Sequence, residues 1–553
     1  MSLPDLSPLE QAVLKFLLRH DTVTESMLHK ELGTRQFSDP DICHALVDLE
    51  KQGWLRKTSI GEKAGYSILL GRRGPQNLSD INLQRRSTPP ALTSVIRMLG
   101  ELEAPSGTEP AAPARGWIFF VLIVLAIINS FILSTLDVTA VSGFVTELGS
   151  KNIPWLWISE MVIGLVFSGS YLGIIDRLGR PLMMKILLGL LAFIYAVVSG
   201  LFLLGIPTRV LYPVAYIIYS QQLIIFPIVF WNLSTSLYSM ADARRIFPVL
   251  ASGELIGDLI GYSIFSLPSL MGLKNVETFI LGNPALLVGI GTLLLLAGLV
   301  LVLFILRGTP ESPRSQTREE HNFLMDIRDA YETIQSIPLF RYLFATILLV
   351  WLALTILWCQ FYSALEKLSS SPGRFSTFYS IFEIGVILVP LILQWVLISR
   401  LMRRIPPHYV ALGTPLILVA SLIVSMAFPL PVVAIGVLFF PVMLNKAWDT
   451  PAFQSLQNLI PMDCRGRVSA VLNNYSFAIG IMAGSLLVAL MSAVGGRLAW
   501  GTGVMQEVDS ALGFMAAMGA VAAAWKVRAT YEDSMFSWRL TRRRRTDLLD
   551  KIE

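Results

Sequence analysis

The stretch that decides the fold is Pro154-Trp155-Leu156-Trp157-Ile158-Ser159-Glu160-Met161-Val162-Ile163-Gly164-Leu165-Val166-Phe167-Ser168-Gly169-Ser170-Tyr171-Leu172-Gly173-Ile174-Ile175, closed by Asp176-Arg177-Leu178-Gly179-Arg180-Pro181. It is an apolar run of membrane-crossing length with one carboxylate inside it and a knot of charge at its end. Both features return 223 residues later, where Glu383 lies inside the apolar run Phe375 to Ile398 and Ser399-Arg400-Leu401-Met402-Arg403-Arg404 follows. Glu160 then matches Glu383, Arg177 matches Arg400, Leu178 matches Leu401 and Arg180 matches Arg403. A second pair of windows agrees: Asp242 and Arg244 recur at Asp463 and Arg465, and Gly257 and Gly261 at Gly480 and Gly484, at offsets of 221 and 223. The chain therefore reads as two similar halves in parallel order, the mark of a membrane bundle built by duplication.

Composition supports that reading. With 54% hydrophobic residues, 15% charged residues and a mean hydropathy of +0.61, most of the mass belongs in lipid. The formal net charge of +5 comes largely from residues that punctuate apolar runs, which is a topological pattern. Cys43, Cys359 and Cys464 form no CxxC or Cys/His spacing, so neither a metal site, a cofactor nor a disulfide framework is expected. The first 115 residues contain no long apolar segment of the signal-peptide kind.

Twelve spans are expected: about 116–138, 154–175, 181–204, 210–236, 246–270, 283–306, 338–363, 374–399, 406–428, 432–455, 466–492 and 508–527. Connections after even-numbered spans carry most of the arginines, among them Arg177, Arg180, Arg244, Arg245, Arg307, Arg400 and Arg403, and the tail carries Arg542 to Arg545. The opposite loops are poor in cations. The positive-inside rule then places both termini in the cytoplasm of a multi-pass cell-membrane protein, as an even span count requires. Residues 116–306 form one half and 338–527 the other. Between them, 307–337 form a cytoplasmic loop in which Phe323 to Ile334 reads as an amphipathic helix, and 528–553 form a basic tail.

Residues 1–72 read as a small α+β domain ahead of the all-α membrane part. Ser7-Pro8-Leu9-Glu10 is a capping box opening a helix. A second helix is expected over Thr24 to Leu32 and a third from Asp41, carrying Ile42, Leu46 and Leu49 on one face. Trp54 to Ile60 and Tyr66 to Leu70, around Gly61 to Gly65, read as a hairpin. Three helices and a hairpin resemble the winged-helix fold. The third helix offers Asp41, Asp48 and Glu50 against Lys51 and His44, a charge balance that argues against nucleic acid and for a protein partner. Residues 73–115 are a Pro-, Gly- and Ser-rich linker, in which Pro90 to Glu103 can form a surface-lying amphipathic helix at the lipid bilayer.

Gly173-Ile-Ile-Asp176-Arg177-Leu178-Gly179-Arg180 is similar to the G-x-x-x-D-R-x-G-R/K turn of the major facilitator superfamily, with the first glycine three residues before the aspartate rather than four. Twelve spans, a six-plus-six repeat and a long central loop strengthen the resemblance. It implies a gate latch made by Asp176, Arg177, Gly179 and Arg180 with Arg465 or Arg467 at the start of span eleven. A weaker likeness, over Ala241 to Pro248, the glycine run Gly253, Gly257 and Gly261, and Pro451 to Leu472, resembles the ATP/ADP translocases of plastids and intracellular bacteria; no nucleotide-contacting residue is carried over from it. The glycine run also suits close helix packing in any membrane bundle.

Charges inside the bilayer cost several kcal/mol each and are functional candidates. Glu160 lies six residues into its span, roughly 9 Å from the end at 1.5 Å per residue, and Glu383 sits at similar depth. Glu254 and Asp258 are spaced i, i+4 on one face and would share a proton. Lys446 and Asp449, at i, i+3, can pair with each other. Asn473, Asn129, Gln221, Gln222 and Gln360 suit hydrogen bonding to a solute or between helices. Carboxylates outnumber cations at depth, which favours a proton- or ion-coupled carrier of a small organic solute over an exchanger of nucleotides, whose phosphates demand Lys or Arg. No Walker A, HExxH or nucleophile-elbow motif is present, so no enzyme is expected. A membrane-bound sensor signalling through residues 1–72 is the reading from another class.

Overall fold

A computed structural model of the chain describes residues 112–175, 180–238, 240–305, 323–369, 371–393, 411–449, 471–498 and 501–549, with short pieces at 13, 23–24, 44–49, 55–60, 63–68, 409, 453 and 468–469. Contacts divide the chain into two compact units. One holds Met1–Val95, Ser336–Leu339 and Arg528–Glu553; the other holds Ile96–Gln335 and Phe340–Val527.

In the first unit, β1 (Val23–Thr24), β2 (Leu55–Ile60) and β3 (Lys63–Ile68) form an antiparallel sheet in the order β1-β3-β2. The hairpin expected from the sequence is present, but its second strand starts at Lys63 rather than Tyr66. Ile60 pairs with Lys63 and Leu55 with Ile68, so two residues separate the strands, the commonest hairpin spacing. Thr24 is a correction: it belongs to β1, where the β-branched pair Val23-Thr24 lies along β3 opposite Tyr66 and Gly65. Residues 44–49 are helical, and Leu46 and Leu49 are buried as the third helix requires. The capping box, residues 25–32 of the second helix and the helix over Pro90 to Glu103 lie outside the described residues.

The second unit is a helix bundle, made of α1 (Ala112–Leu148), α2 (Ile153–Ile175), α3 (Arg180–Leu203), α4 (Thr208–Leu237), α5 (Met240–Leu270), α6 (Pro284–Ile305), α7 (Pro338–Leu368) from Phe340 on, α8 (Pro372–Leu393), α9 (Gly413–Ala427), α10 (Pro431–Leu444), α11 (Ser476–Arg497) and α12 (Thr502–Leu549) as far as Val527. A short helix, Lys274–Gly282, precedes α6, and Phe323–Ser336 is the helix expected in the central loop. Among the described residues ten helices are long and apolar enough to cross a membrane, and α9 is a shorter apolar helix. This is a multi-pass membrane architecture. Single π-helical turns continue α10 (Asn445–Asp449) and open α11 (Val471–Tyr475).

Two helices outrun their expected ends by ten residues or more. α1 continues ten residues past the expected end at 138, because nothing between Val138 and Leu148 breaks a helix; Gly149, at φ +80, stops it. Asp137 therefore lies inside a helix, 3% exposed, instead of at a span end. α12 runs on through Leu549, so the basic tail begins as helix.

The duplication is visible in the packing. Two glycines of α5 press its backbone onto α1: a Cβ on Gly257 would meet Ile127 O and lie 2.9 Å from Phe131 N, and one on Gly261 would lie 2.7 Å from Ser134 Cβ. In the second half a Cβ on Gly480 of α11 would lie 2.6 Å from Leu348 O of α7, and one on Gly484 would lie 2.8 Å from Leu352 O and 2.9 Å from Thr355 Cβ. Ile127, Phe131 and Ser134 correspond to Leu348, Leu352 and Thr355 at one constant offset, so the two seams are the same contact made twice. In lipid, where burying apolar surface between helices gains little, such close backbone approach is what holds helices together.

Across the halves, one end of the bundle is tied. Ser150, just after α1, donates its backbone N–H to Glu366 Oε2 of α7 at 3.1 Å, and its hydroxyl bonds the same oxygen. At that end Gly373 of α8 lies against the Glu277 side chain of the short helix, and Thr377 Oγ1 lies 3.4 Å from Phe265 O of α5.

Candidate functional site

Between the halves lies a cavity of about 480 Å³, within the range that holds a small organic molecule. Glu160 of α2 and Glu383 of α8, paired by the sequence repeat, both line it. So do Glu254 and Asp258 of α5, Asp137 of α1 and Lys446 of the α10 π turn. Six charged residues thus converge from five helices.

Each carboxylate is held differently. Glu160, 9% exposed, accepts the Ser220 hydroxyl at 2.6 Å. Beside it Trp157 Nε1 donates to Tyr216 Oη at 2.9 Å, fixing both rings at the wall. Asp258 accepts from Ser134 Oγ at 2.7 Å. Asp137 Oδ2 accepts two phenols, Tyr262 at 3.1 Å and Tyr379 at 2.9 Å. Tyr379 lies in turn 3.5 Å from the Tyr362 hydroxyl. Glu383 has no hydrogen-bond partner among the described residues and faces Lys446 across the cavity at electrostatic range. Lys446 also lies within electrostatic reach of Asp258, and Asp137 within reach of Glu383.

Other expected residues fall elsewhere. Asp449 is only 1% exposed, does not line the cavity, and has Thr414 and Asn445 as its polar neighbours rather than a cation. The expected pairing with Lys446 is therefore absent, because the wider π turn does not stack i over i+3 as an α-helix does. Asn473 lies on the other π turn, donates to Ser469 Oγ at 3.2 Å and is not among the lining residues. Gln360 joins helices instead of facing solute: it donates to Ser510 Oγ of α12 at 2.8 Å and accepts from Ser425 of α9 at 2.9 Å. Gln222 likewise links Asn129 Oδ1 (2.9 Å) to Tyr195 Oη (2.6 Å), although Asn129 also lines the cavity. Arg180 opens α3 and is exposed. Asp176, Arg177, Gly179, Arg465 and Arg467 lie outside the described residues.

Asp137 and its tyrosines are what the sequence reading missed. An aspartate twelve residues before the break at Gly149, inside an uninterrupted helical stretch, was the available signal for Asp137. The tyrosines carry none, since their roles depend on which helices face one another.

No protein-family model and no curated protein sequence matches this chain. Solved structures do. The nucleoside transporter NupG aligns with a TM-score of 0.54 at 16% identity, over 75% of this chain and 99% of its own. An auto-inhibited POT family peptide transporter aligns at 0.54 and 11%, over 73% and 96%. A bacterial homologue of the iron transporter ferroportin, in its inward-facing state, aligns at 0.52 and 14%, over 74% and 98%. At these identities the likeness is one of fold: the chain shares the fold of these transporter structures.

Proposed function

We propose that this protein is a secondary transporter of the major facilitator type, moving a small organic solute by rocking of its two halves about the central cavity, with proton or ion coupling. The observation that carries the reading is the convergence of Glu160 and Glu383, equivalent residues of two repeats, on one cavity between those repeats. A pair of deep carboxylates has no use as lipid-facing structure. The helices of Ile153–Ile175 and Gly413–Ala427 complete twelve spans, with both termini cytoplasmic and a winged-helix domain at the amino end. Glu160, Glu383, Glu254 and Asp258, joined by Asp137, are the solute- or proton-binding groups, and Asp176 with its neighbours forms the gate.

One lysine against five carboxylates suits phosphorylated solutes poorly, since each phosphate calls for cationic partners. The test is uptake into proteoliposomes under an imposed pH gradient. Glutamine at Glu160 or at Glu383 is expected to abolish gradient-driven uptake. Unchanged uptake and unchanged pH dependence in both variants would remove the pair from the mechanism.

A further inference from the structure

The inventory of the cavity selects among solutes. Three of its carboxylates already have hydroxyl donors: Glu160 has Ser220, Asp258 has Ser134, and Asp137 has Tyr262 and Tyr379. The lining lysine has two carboxylates, Glu383 and Asp258, in electrostatic reach. Glu254 and Glu383 have no hydroxyl donor among the described residues; Glu254 is half-buried, and Glu383 is the buried one of the two. Glu383 is 7% exposed and lines the cavity. A buried carboxylate without donors is costly unless a partner arrives from the cavity.

The wall beside it is aromatic. Trp358 stacks on Tyr362 with centroids 5.7 Å apart, and Trp157 meets Tyr362 edge-on at 6.0 Å; all three line the cavity. Phe382, adjacent in sequence to Glu383, packs against Trp358 at 5.7 Å. Ring faces attract a cation within about 6 Å of their centroids, and do so more strongly where water is scarce. A donor-less carboxylate next to a stacked Trp–Tyr pair, in a cavity with an excess of negative groups, is complementary to positive charge on an apolar body.

We infer that the solute is an organic monocation, an amine or quaternary ammonium carried on a flat or bulky apolar group, with its charge against Glu383 and the faces of Trp358 and Tyr362. The inference rests on the carrier reading above and narrows it. An anion would meet five carboxylates. A zwitterion would need Lys446 for its own carboxylate, and that lysine is already flanked by two.

The experiment uses full-length protein in nanodiscs and three probes of one size: phenyltrimethylammonium, benzoate and phenylalanine. Binding is read by quenching of tryptophan fluorescence and by the thermal midpoint, which a ligand of the folded state raises by mass action. The expected result is saturable binding of phenyltrimethylammonium alone, weakened about tenfold by Glu383→Gln, a loss the size of one charge-assisted contact. Trp358→Leu is expected to weaken it as well. Benzoate or phenylalanine binding as tightly as the cation would overturn the inference in wild-type protein, whether or not either variant folds. A Glu383→Gln protein of normal midpoint with unchanged cation affinity would also overturn it. Flux is measured separately in proteoliposomes. Cation binding with no flux of the cation leaves the site standing and sinks the carrier, whereas flux of another solute without cation binding does the reverse.

Discussion

The Tyr379 hydroxyl of α8 donates to Asp137 Oδ2 of α1 at 2.9 Å, and so joins the second half of the bundle to the first at the wall of the central cavity. Tyr262 of α5 supplies the other donor to the same oxygen at 3.1 Å. One carboxylate therefore holds a helix of its own half and a helix of the opposite half together. In the rocking motion proposed above, the Tyr262 bond lies within a half while the Tyr379 bond spans the interface between halves.

That asymmetry separates two substitutions. Tyr379→Phe removes a hydrogen bond to a buried carboxyl group, worth about 1–3 kcal/mol, from the interface alone. Tyr262→Phe removes one within a half. Uptake rates are expected to change roughly tenfold for Tyr379→Phe, because the two end states of transport are stabilised unequally, with little change in the thermal midpoint. Tyr262→Phe is expected to lower the midpoint more than it changes the rate. Equal effects of the two on both readouts would refute the division.

The glycine seams predict a sharp positional dependence. Gly480→Ala places a methyl 2.6 Å from Leu348 O, and Gly484→Ala places one 2.8 Å from Leu352 O. Both force helices apart at a cost of about 1–3 kcal/mol each. Gly436→Ala, on α10 with no atom within 4 Å of the added Cβ, is expected to be neutral or slightly stabilising. Thermal midpoints of the three purified variants test this; a Gly436 variant as unstable as the Gly480 variant would count against the seam.

The tie between Ser150 and Glu366 predicts a trappable state. Cysteines introduced at both positions, in a background with Cys43, Cys359 and Cys464 replaced, are expected to cross-link on mild oxidation. Uptake should stop and return on reduction. Efficient cross-linking with undiminished uptake would show that this end of the bundle never opens.

A surface pair offers the opposite expectation. Arg209 Nε lies 3.6 Å from Glu147 Oε2, with the arginine side chain 73% exposed. Such pairs are worth about 0–1 kcal/mol. Arg209→Ala should therefore leave the midpoint and the uptake rate within error of wild type, and a large loss would point to a role for Arg209 beyond this pair.

Much of the architecture was legible because lipid imposes simple rules on sequence. Runs of apolar residues marked helices, and the 223-residue echo of Glu160 in Glu383 identified two residues that do meet at one cavity. The spacing of Glu254 and Asp258 likewise gave a shared face. What could not be read was whatever depends on tertiary geometry or on helix ends. Asp137 went unread because it falls at the expected end of the first span, whereas the helix runs on to Leu148 and Tyr262 and Tyr379 supply its hydrogen bonds. Lys446 and Asp449 looked like a pair because α-helical spacing was assumed, and the chain makes a π turn there. Thr24 looked like a helix start because its capping chemistry is local, whereas its strand partner Gly65 is 41 residues away in sequence.

The repeated glycine seams also determine where the protein yields. Backbone pressed on backbone along α1–α5 and α7–α11 leaves the helices within each half little room to slide, while the ties across the halves include single hydrogen bonds, Ser150 to Glu366 and Tyr379 to Asp137. A slide along either seam would drive backbone into backbone, so displacement of one helix in a half carries its seam partner with it. The repeat carries the seam, and with it the same constraint, into both halves.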